Sequence, residues 1–173
     1  MTKRFDRING QKLHMQSLCG LAHYDFNMAG AYSYEQAFMI MRTLHISKKE
    51  ANQFYRRMVF NVIARNLDDH TKNIAFLMDQ EGNWHLSPAF DMVYAHNPKG
   101  NWTNMHQMSV NGKRENIDRK DLIMVAIGIG LSGANEIIDE VLQAVSLWPQ
   151  LAAANGVKNA VISEVERYLL LDI

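Results

Sequence analysis

The stretch that decides how this chain is interpreted lies at residues 65–73 and reads Arg-Asn-Leu-Asp-Asp-His-Thr-Lys-Asn. It directly follows a segment with helical apolar spacing, and its polar residues 68–73 directly precede the apolar run Ile-Ala-Phe-Leu-Met at 74–78. This order predicts a loop between a helix and a strand. The polar groups of such a loop can converge on one point, so we expect the functional site here.

A short β-hairpin is predicted immediately after this loop. The apolar run is followed by a glycine-containing turn at 79–83 and by a second short strand, Trp-His-Leu-Ser at 84–87. This pattern is typical of two antiparallel strands. Because a hairpin returns the chain to its start, Asp91, which follows the second strand, is expected near residues 68–73.

Helices are predicted for most of the rest, so the fold class is mainly α with one embedded hairpin. Ser33 and Ser47 each begin a capping box before an apolar helical pattern, and Asp118 is expected to cap a helix over 119–129. Glycines at 128–133 have the spacing Gly-x-Gly-x-x-Gly, but they follow a helical run rather than a strand and therefore predict a helix break. Further helices are expected over 135–148, ended by Pro149, and over 157–171.

Composition excludes several classes of protein. The 173 residues contain 18 Lys+Arg and 18 Asp+Glu, and this zero formal net charge argues against direct nucleic-acid binding. A single cysteine excludes a disulfide framework and a Cys₄ zinc site, and no His spacing typical of zinc is present among the seven histidines. Residues 1–7 contain no apolar leader and no apolar stretch could span a bilayer, so we expect one soluble, cytoplasmic domain over 1–173 with no membrane partner.

The polar loop contains the groups that phosphoryl transfer needs. A carboxylate such as Asp68 can orient or deprotonate a hydroxyl, and Asn73 and Asp91 offer the oxygen ligands that Mg²⁺ prefers. Lys72 adds a positive charge suited to a transferring phosphoryl group. Protein kinases place an Asn five positions after the catalytic Asp, which is the spacing from Asp68 to Asn73. A purely structural interpretation, in which Asp68, Asp69 or Asp91 caps a turn, remains open at this point.

Two motifs closely resemble the C-terminal lobe of HipA-like serine/threonine kinases, the toxins of HipBA-type toxin–antitoxin systems. They are residues 66–73 and the segment Leu-Ser-Pro-Ala-Phe-Asp-Met-Val-Tyr at 86–94. Residues 4–7, Arg-Phe-Asp-Arg, resemble the hinge between the two lobes of these kinases. The resemblance implies that residues 1–173 form the helical C-lobe of a protein-kinase-like fold, with the small hairpin around the catalytic loop.

The same resemblance implies roles for individual residues. Asp68 and Lys72 would be catalytic, with Asp68 acting on the acceptor hydroxyl and Lys72 facing the γ-phosphate. ATP and Mg²⁺ would be the cofactors, Asn73 and Asp91 would bind the metal, and the nucleotide site would be formed by Phe5, Lys72, Asn73 and Asp91. His70 is expected to have a structural hydrogen-bonding role, and Asp69 is given no catalytic role.

The resemblance also implies partners. HipA-like kinases have an N-terminal lobe ahead of the hinge, which covers the phosphates and carries the strand lysine. We therefore expect the chain to transfer the ATP γ-phosphate to a protein substrate only when an N-lobe is supplied, in the same or a separate chain. A HipB-like antitoxin is an expected partner. The alternative is a catalytically inactive helical module that binds an antitoxin or another DNA-binding protein.

Overall fold

The computed structural model describes residues 4–173, which form five short strands and seven helices. The strands are β1 (Arg7–Ile8), β2 (Gln11–Lys12), β3 (His14–Ser17), β4 (Ala75–Met78) and β5 (Trp84–Leu86). The helices are α1 (Leu18–Leu21), α2 (Tyr34–Thr43), α3 (Lys48–Ile63), α4 (Arg119–Ile129), α5 (Ala134–Ser146), α6 (Trp148–Ala154) and α7 (Asn159–Glu166). None of these helices is long and apolar enough to cross a membrane. Residues 1–3, the start of the segment in which no leader was expected, lie outside the described residues.

The three predicted helix caps are confirmed. Ser33 accepts a hydrogen bond from the Gln36 backbone while the Gln36 side chain accepts from the Ser33 backbone, and Ser47 forms the same reciprocal pair at the start of α3. Asp118 caps α4, which ends at Gly130 in the left-handed conformation, with φ +69°. The predicted glycine break between α4 and α5 is therefore present.

Helix α3 supplies the largest part of the core. Helix α5 packs against it. Apart from Asn61, the buried side chains of α3 are all apolar or aromatic: Phe54, Tyr55, Met58, Val59, Val62 and Ile63. The Tyr55 hydroxyl donates to the Leu122 carbonyl of α4 at 2.9 Å, and burial raises the pKa of Tyr55 to about 12. Apolar burial of this kind is the main stabilising term, so α3 is the element that fixes the position of the loop following it.

The predicted hairpin is present as β4 and β5, with Phe76 opposite Leu86. The expectation that only this region is extended is wrong, because β3 pairs antiparallel with β4 and makes a three-stranded sheet in the order β3-β4-β5. A second, two-stranded sheet joins β1 and β2. Most side chains of β1–β3 are exposed, so these strands lack the apolar alternation that identifies a strand in a sequence.

The C-terminal helices differ from prediction in their bounds. Pro149 lies in the first turn of α6. A backbone N–H at this position has no hydrogen-bond partner within the helix, so proline is tolerated there. Pro149 is therefore part of the start of a helix that was not predicted. The last helix is α7 and is shorter than the expected 157–171. After α7 the chain turns so that the Leu170 N–H donates to the Ile63 carbonyl at the end of α3, at 3.0 Å.

Candidate functional site

The loop at residues 66–73 is fixed by backbone hydrogen bonds on both sides. Helix α3 ends at Ile63, and two residues later Arg65 adopts the left-handed conformation, with φ +59°. On one side the Leu67 N–H donates to the Ala95 carbonyl at 3.1 Å, and on the other the Cys19 N–H donates to the Thr71 carbonyl at 3.1 Å. The loop therefore lies between the segment after the hairpin and the start of α1.

Asp69 is the buried member of the aspartate pair. Only 1% of its side chain is exposed, and its two oxygens accept three hydrogen bonds. The Tyr34 hydroxyl and His106 Nδ1 each lie 2.8 Å from Oδ2, and the Gln107 backbone N–H donates to Oδ1 at 2.8 Å. An ionised carboxylate can only accept, so His106 Nδ1 carries the proton. These bonds attach the loop to α2 and to the irregular segment before α4.

Electrostatics keeps Asp69 ionised despite its burial. Burial by itself raises the pKa of this carboxyl, but His106 and the donated hydrogen bonds outweigh burial, so the Asp69 pKa lies below its usual value. Burial and the neighbouring Asp69 charge raise the Tyr34 pKa well above its usual value. The Tyr34 hydroxyl also accepts from Asn61 Nδ2 at 2.9 Å, and Asn61 Oδ1 accepts from Asn66 Nδ2 at 2.9 Å. A buried chain of polar groups therefore connects Asn61 of α3 to Asn66 at the start of the loop and, through Tyr34, to Asp69.

Asp68 has the opposite environment. Its side chain is 34% exposed, and its Oδ1 accepts one hydrogen bond, from the indole Nε1–H of Trp102 at 2.9 Å. His70 Nε2 lies 3.8 Å from the same oxygen, which is too long for a hydrogen bond. The ring of His70 packs edge-on against Phe26 instead, so the hydrogen-bonding role expected for this histidine is not seen in the described residues.

Asn73 is held directly against the Asp68 residue. Its side-chain Nδ2 donates to the Asp68 carbonyl at 3.0 Å, and its backbone N–H donates to the His70 carbonyl at 2.9 Å. With the amide nitrogen engaged in this way, the side-chain oxygen is the atom left to bind a cation. The structure therefore brings Asp68 and Asn73 together.

The Lys72 ammonium lies over the ring of Phe26, with Nζ 3.1 Å from the ring centroid. The residue is exposed, and the contact is a cation–π interaction. No sequence pattern indicates this contact, because Phe26 lies in an irregular segment between α1 and α2.

The backbone of Asp91 lies near the start of the loop at residues 66–73. Its carbonyl lies 3.5 Å from Asn66 Nδ2, and its φ of +54° is in the left-handed region that non-glycine residues rarely adopt. The residue is exposed, and within residues 4–173 its carboxylate has no hydrogen bond or ion pair. The centroid of the neighbouring Phe90 ring lies 5.8 Å from that of the Phe5 ring, so the segment at residues 4–7 adjoins this part of the site.

The metal ligands expected from the sequence are oxygen atoms, which is the type of donor that Mg²⁺ prefers. Residues 4–173 contain no group of three or more His, Cys, Asp or Glu side chains that could hold a metal. Mg²⁺ needs only one or two carboxylates, because water and phosphate oxygens complete its octahedron. The free amide oxygen of Asn73 and the unpaired carboxylate of Asp91 are ligands of this kind.

Sequence reasoning did not identify three residues that build the site, namely Tyr34, Trp102 and His106. Tyr34 carries no signal beyond its apolar position in α2. Trp102 and His106 lie in an irregular segment that also contains Gln107. Such a concentration of aromatic and polar residues outside helices and strands is the one available hint of a site.

Comparison with known proteins gives consistent results. The family model described as HipA-like C-terminal domain matches residues 1–148. The fold is similar to that of HipA in the Shewanella oneidensis MR-1 toxin–antitoxin complex of HipA, HipB and operator DNA, with a TM-score of 0.71 and 19% sequence identity. This match covers 96% of the present chain and 45% of the other, so the chain spans less than half the length of the protein it resembles. No curated protein matches the chain.

Proposed function

This chain belongs to the HipA-like C-terminal domain family, and we propose that it is the C-terminal catalytic lobe of a serine/threonine protein kinase. In this proposal it transfers the γ-phosphate of ATP to a protein hydroxyl when an N-terminal lobe is supplied by the same or a separate chain. The observation that carries the proposal is the different environment of two adjacent aspartates. Both carboxylate oxygens of Asp69 accept buried hydrogen bonds. The Asp68 side chain is partly exposed, and the Asn73 side chain donates a hydrogen bond to the Asp68 carbonyl.

Asp68 is the group we assign to the acceptor hydroxyl. Trp102 occupies its Oδ1, so Oδ2 is the oxygen available to accept a hydrogen bond from a serine or threonine. A carboxylate in this position orients the hydroxyl and takes its proton as the phosphoryl group is transferred. General-base catalysis of this kind contributes about 10²–10⁴-fold to a rate.

The cofactors of the proposal are ATP and Mg²⁺. When bound, Mg²⁺ neutralises charge on the transferring phosphoryl group. Asn73 Oδ1 and the Asp91 carboxylate would hold the metal, and Lys72 would supply a further positive charge after turning from Phe26 toward the phosphates. Phe5 would line the nucleotide site from the hinge, next to Phe90.

The experiment is a phosphorylation assay on the chain joined to an N-lobe. We expect Asp68→Asn to lose phosphotransfer while binding of ATP–Mg²⁺ is retained, because Asp68 acts on the acceptor. Asp91→Asn should lose phosphotransfer too, and unlike Asp68→Asn it should also weaken Mg²⁺-dependent nucleotide binding. Asp172→Asn, which alters an exposed aspartate near the C-terminus, is the matched control and should behave like the unaltered protein. Full activity in both Asp68→Asn and Asp91→Asn would contradict the proposal.

A second candidate function is suggested by the complex in which the similar fold occurs. The Shewanella protein is described together with HipB and operator DNA, and we propose a HipB-like antitoxin as a partner of the present chain. If the chain binds such a partner but transfers no phosphate with any N-lobe supplied, it is an inactive interaction module. Parallel binding and phosphorylation measurements on the same preparation distinguish these two functions.

A further inference from the structure

Trp102 has an environment that is unusual for a tryptophan. It lies in the irregular segment between β5 and α4, and it is 41% exposed. Its indole N–H nevertheless donates at 2.9 Å to Asp68, which lies 34 positions earlier in the chain. A large exposed ring whose polar atom is engaged at a candidate active site points to a role in binding.

The position of Trp102 is determined by the aspartate next to Asp68. The Gln107 side chain donates to the Trp102 carbonyl, and the Gln107 backbone N–H donates to Asp69 Oδ1. The Gln107 carbonyl in turn accepts from the Gly30 N–H at 2.8 Å. The buried carboxylate of Asp69 therefore fixes the segment that places the indole against the carboxylate of Asp68.

Trp148 shows what a structural tryptophan looks like in the same chain. Its indole N–H donates to the backbone carbonyl of Ile162 at 3.1 Å, and this bond joins α6 to α7. Trp102 differs because its partner is a partly exposed carboxylate and its ring remains accessible. A role limited to packing does not account for that combination.

We propose that Trp102 is a positioning residue for the acceptor side of the site and also a contact for the substrate. Its N–H fixes the rotation of the Asp68 carboxylate, so that Oδ2 faces the acceptor hydroxyl. Its exposed ring binds an apolar side chain that flanks the serine or threonine in the substrate. This inference rests on the proposed kinase function, and it adds a substrate preference to that function.

The hydrogen bond can be tested without any activity. The chain has three tryptophans, so a ¹⁵N-labelled sample gives three indole N–H signals, and Trp102→Phe identifies the one that belongs to Trp102. Asp68→Asn should shift the Trp102 signal and leave those of Trp84 and Trp148 in place. A Trp102 signal that does not move in Asp68→Asn would overturn the inference, whatever the outcome of the kinase assays.

The catalytic part is tested by steady-state kinetics on the chain joined to an N-lobe. Trp102→Phe keeps a ring but loses the N–H, so kcat should fall about twofold to tenfold, as expected for one hydrogen bond, while the acceptor KM changes little. Trp102→Ala should in addition raise the KM for a peptide with an apolar residue beside the acceptor. The KM for a glycine-flanked peptide and the KM for ATP should stay unchanged.

Trp148→Phe is the matched control, because it also removes one indole hydrogen bond, and it should leave kcat and both KM values unchanged. The inference is wrong if Trp102→Ala changes neither kcat nor the acceptor KM. It is also wrong if the KM rises equally for both peptides. A protein that transfers no phosphate at all refutes the proposed function, and with it the catalytic role of Trp102, whereas the NMR result separately decides whether the hydrogen bond exists.

Discussion

Replacing Asp69 by alanine should destabilise the fold more than any other single change at the site. The substitution removes the acceptor of three buried donors, namely the Tyr34 hydroxyl, His106 Nδ1 and the Gln107 N–H. Each buried donor left without a partner costs about 1–3 kcal/mol. Because the three donors share one acceptor and can partly relax together, we expect the free energy of unfolding to fall by about 3–5 kcal/mol. Domains of this size have a total of about 5–15 kcal/mol, so a large share of the stability would be lost.

Urea unfolding followed by circular dichroism measures this loss, and Asp68→Ala is the matched control. Asp68 is one residue away and loses only one half-exposed hydrogen bond, from Trp102, so its substitution should cost about 0.5–1.5 kcal/mol. Equal destabilisation by the two substitutions would refute the structural role of Asp69. Kinase measurements on Asp69 variants must therefore be accompanied by a measurement of the folded fraction.

The same carboxylate makes stability depend on pH in a defined direction. The folded-state pKa of Asp69 is lowered relative to an unfolded aspartate, whose pKa is about 3.9. Its contribution is therefore fully present above about pH 4 and is lost as the pH falls through the folded-state pKa, since the unfolded chain binds more protons there. The urea midpoint of the unaltered protein should fall in this acidic range, and that of Asp69→Asn should fall less. Asp79, whose hydrogen bonds to Asn83 lower its pKa to about 2, acts in the same direction in both proteins and does not affect the comparison.

Three further predictions concern packing, the Lys72 contact and nucleotide binding. Gly30→Ala should lower the free energy of unfolding by about 0.5–1.5 kcal/mol more than Gly82→Ala, because Arg114 must turn aside and lose its hydrogen bond to the His106 carbonyl. Both residues have positive φ, but a Cβ on Gly30 would lie 2.7 Å from Arg114 Cδ, whereas a Cβ on Gly82 would have no atom within 4 Å. Equal losses of stability for the two substitutions in urea unfolding would contradict this prediction. A double-mutant cycle of Phe26→Ala with Lys72→Ala should give a coupling of about 0.5–1 kcal/mol, the usual size of an exposed cation–π pair, and a coupling of zero would show that the contact contributes nothing. Calorimetric titration of the 173-residue chain with ATP–Mg²⁺ should show weak binding or none, because a kinase holds its nucleotide between two lobes, and binding at micromolar concentration or tighter would refute that expectation.

The parts of the fold that the sequence predicted well are those specified by neighbouring residues. Ser33, Ser47 and Asp118 each pair with a residue three positions later, so the start of a helix is encoded within one turn. The β4–β5 hairpin is likewise specified by two short neighbouring segments and the turn between them. Strand β3 could not be found in this way, because it is a strand only through its pairing with β4, about 60 residues away in the sequence.

Pro149 shows the same limit in a helix. A proline is compatible both with the end of one helix and with the first turn of the next. At neither position does the helix need a hydrogen bond from the backbone N–H that proline lacks. Packing decides between these possibilities, and here the Trp148 indole binds the Ile162 carbonyl and makes α6 part of a helix pair with α7. No residue close to the proline encodes that contact.

The site was predictable to the same extent. Asp68 and Asn73 lie in one loop, so their proximity follows from the local sequence, whereas Trp102 and His106 reach the loop from 34 and 37 positions away. These distant residues distinguish the two aspartates. A carboxylate whose oxygens are both engaged by buried donors, as in Asp69, has no lone pair facing solvent and cannot take a proton from an incoming hydroxyl. Asp68 receives a single donor on one oxygen and keeps the other free, so the network that stabilises the loop through Asp69 is also the reason that the proposed chemistry is assigned to Asp68.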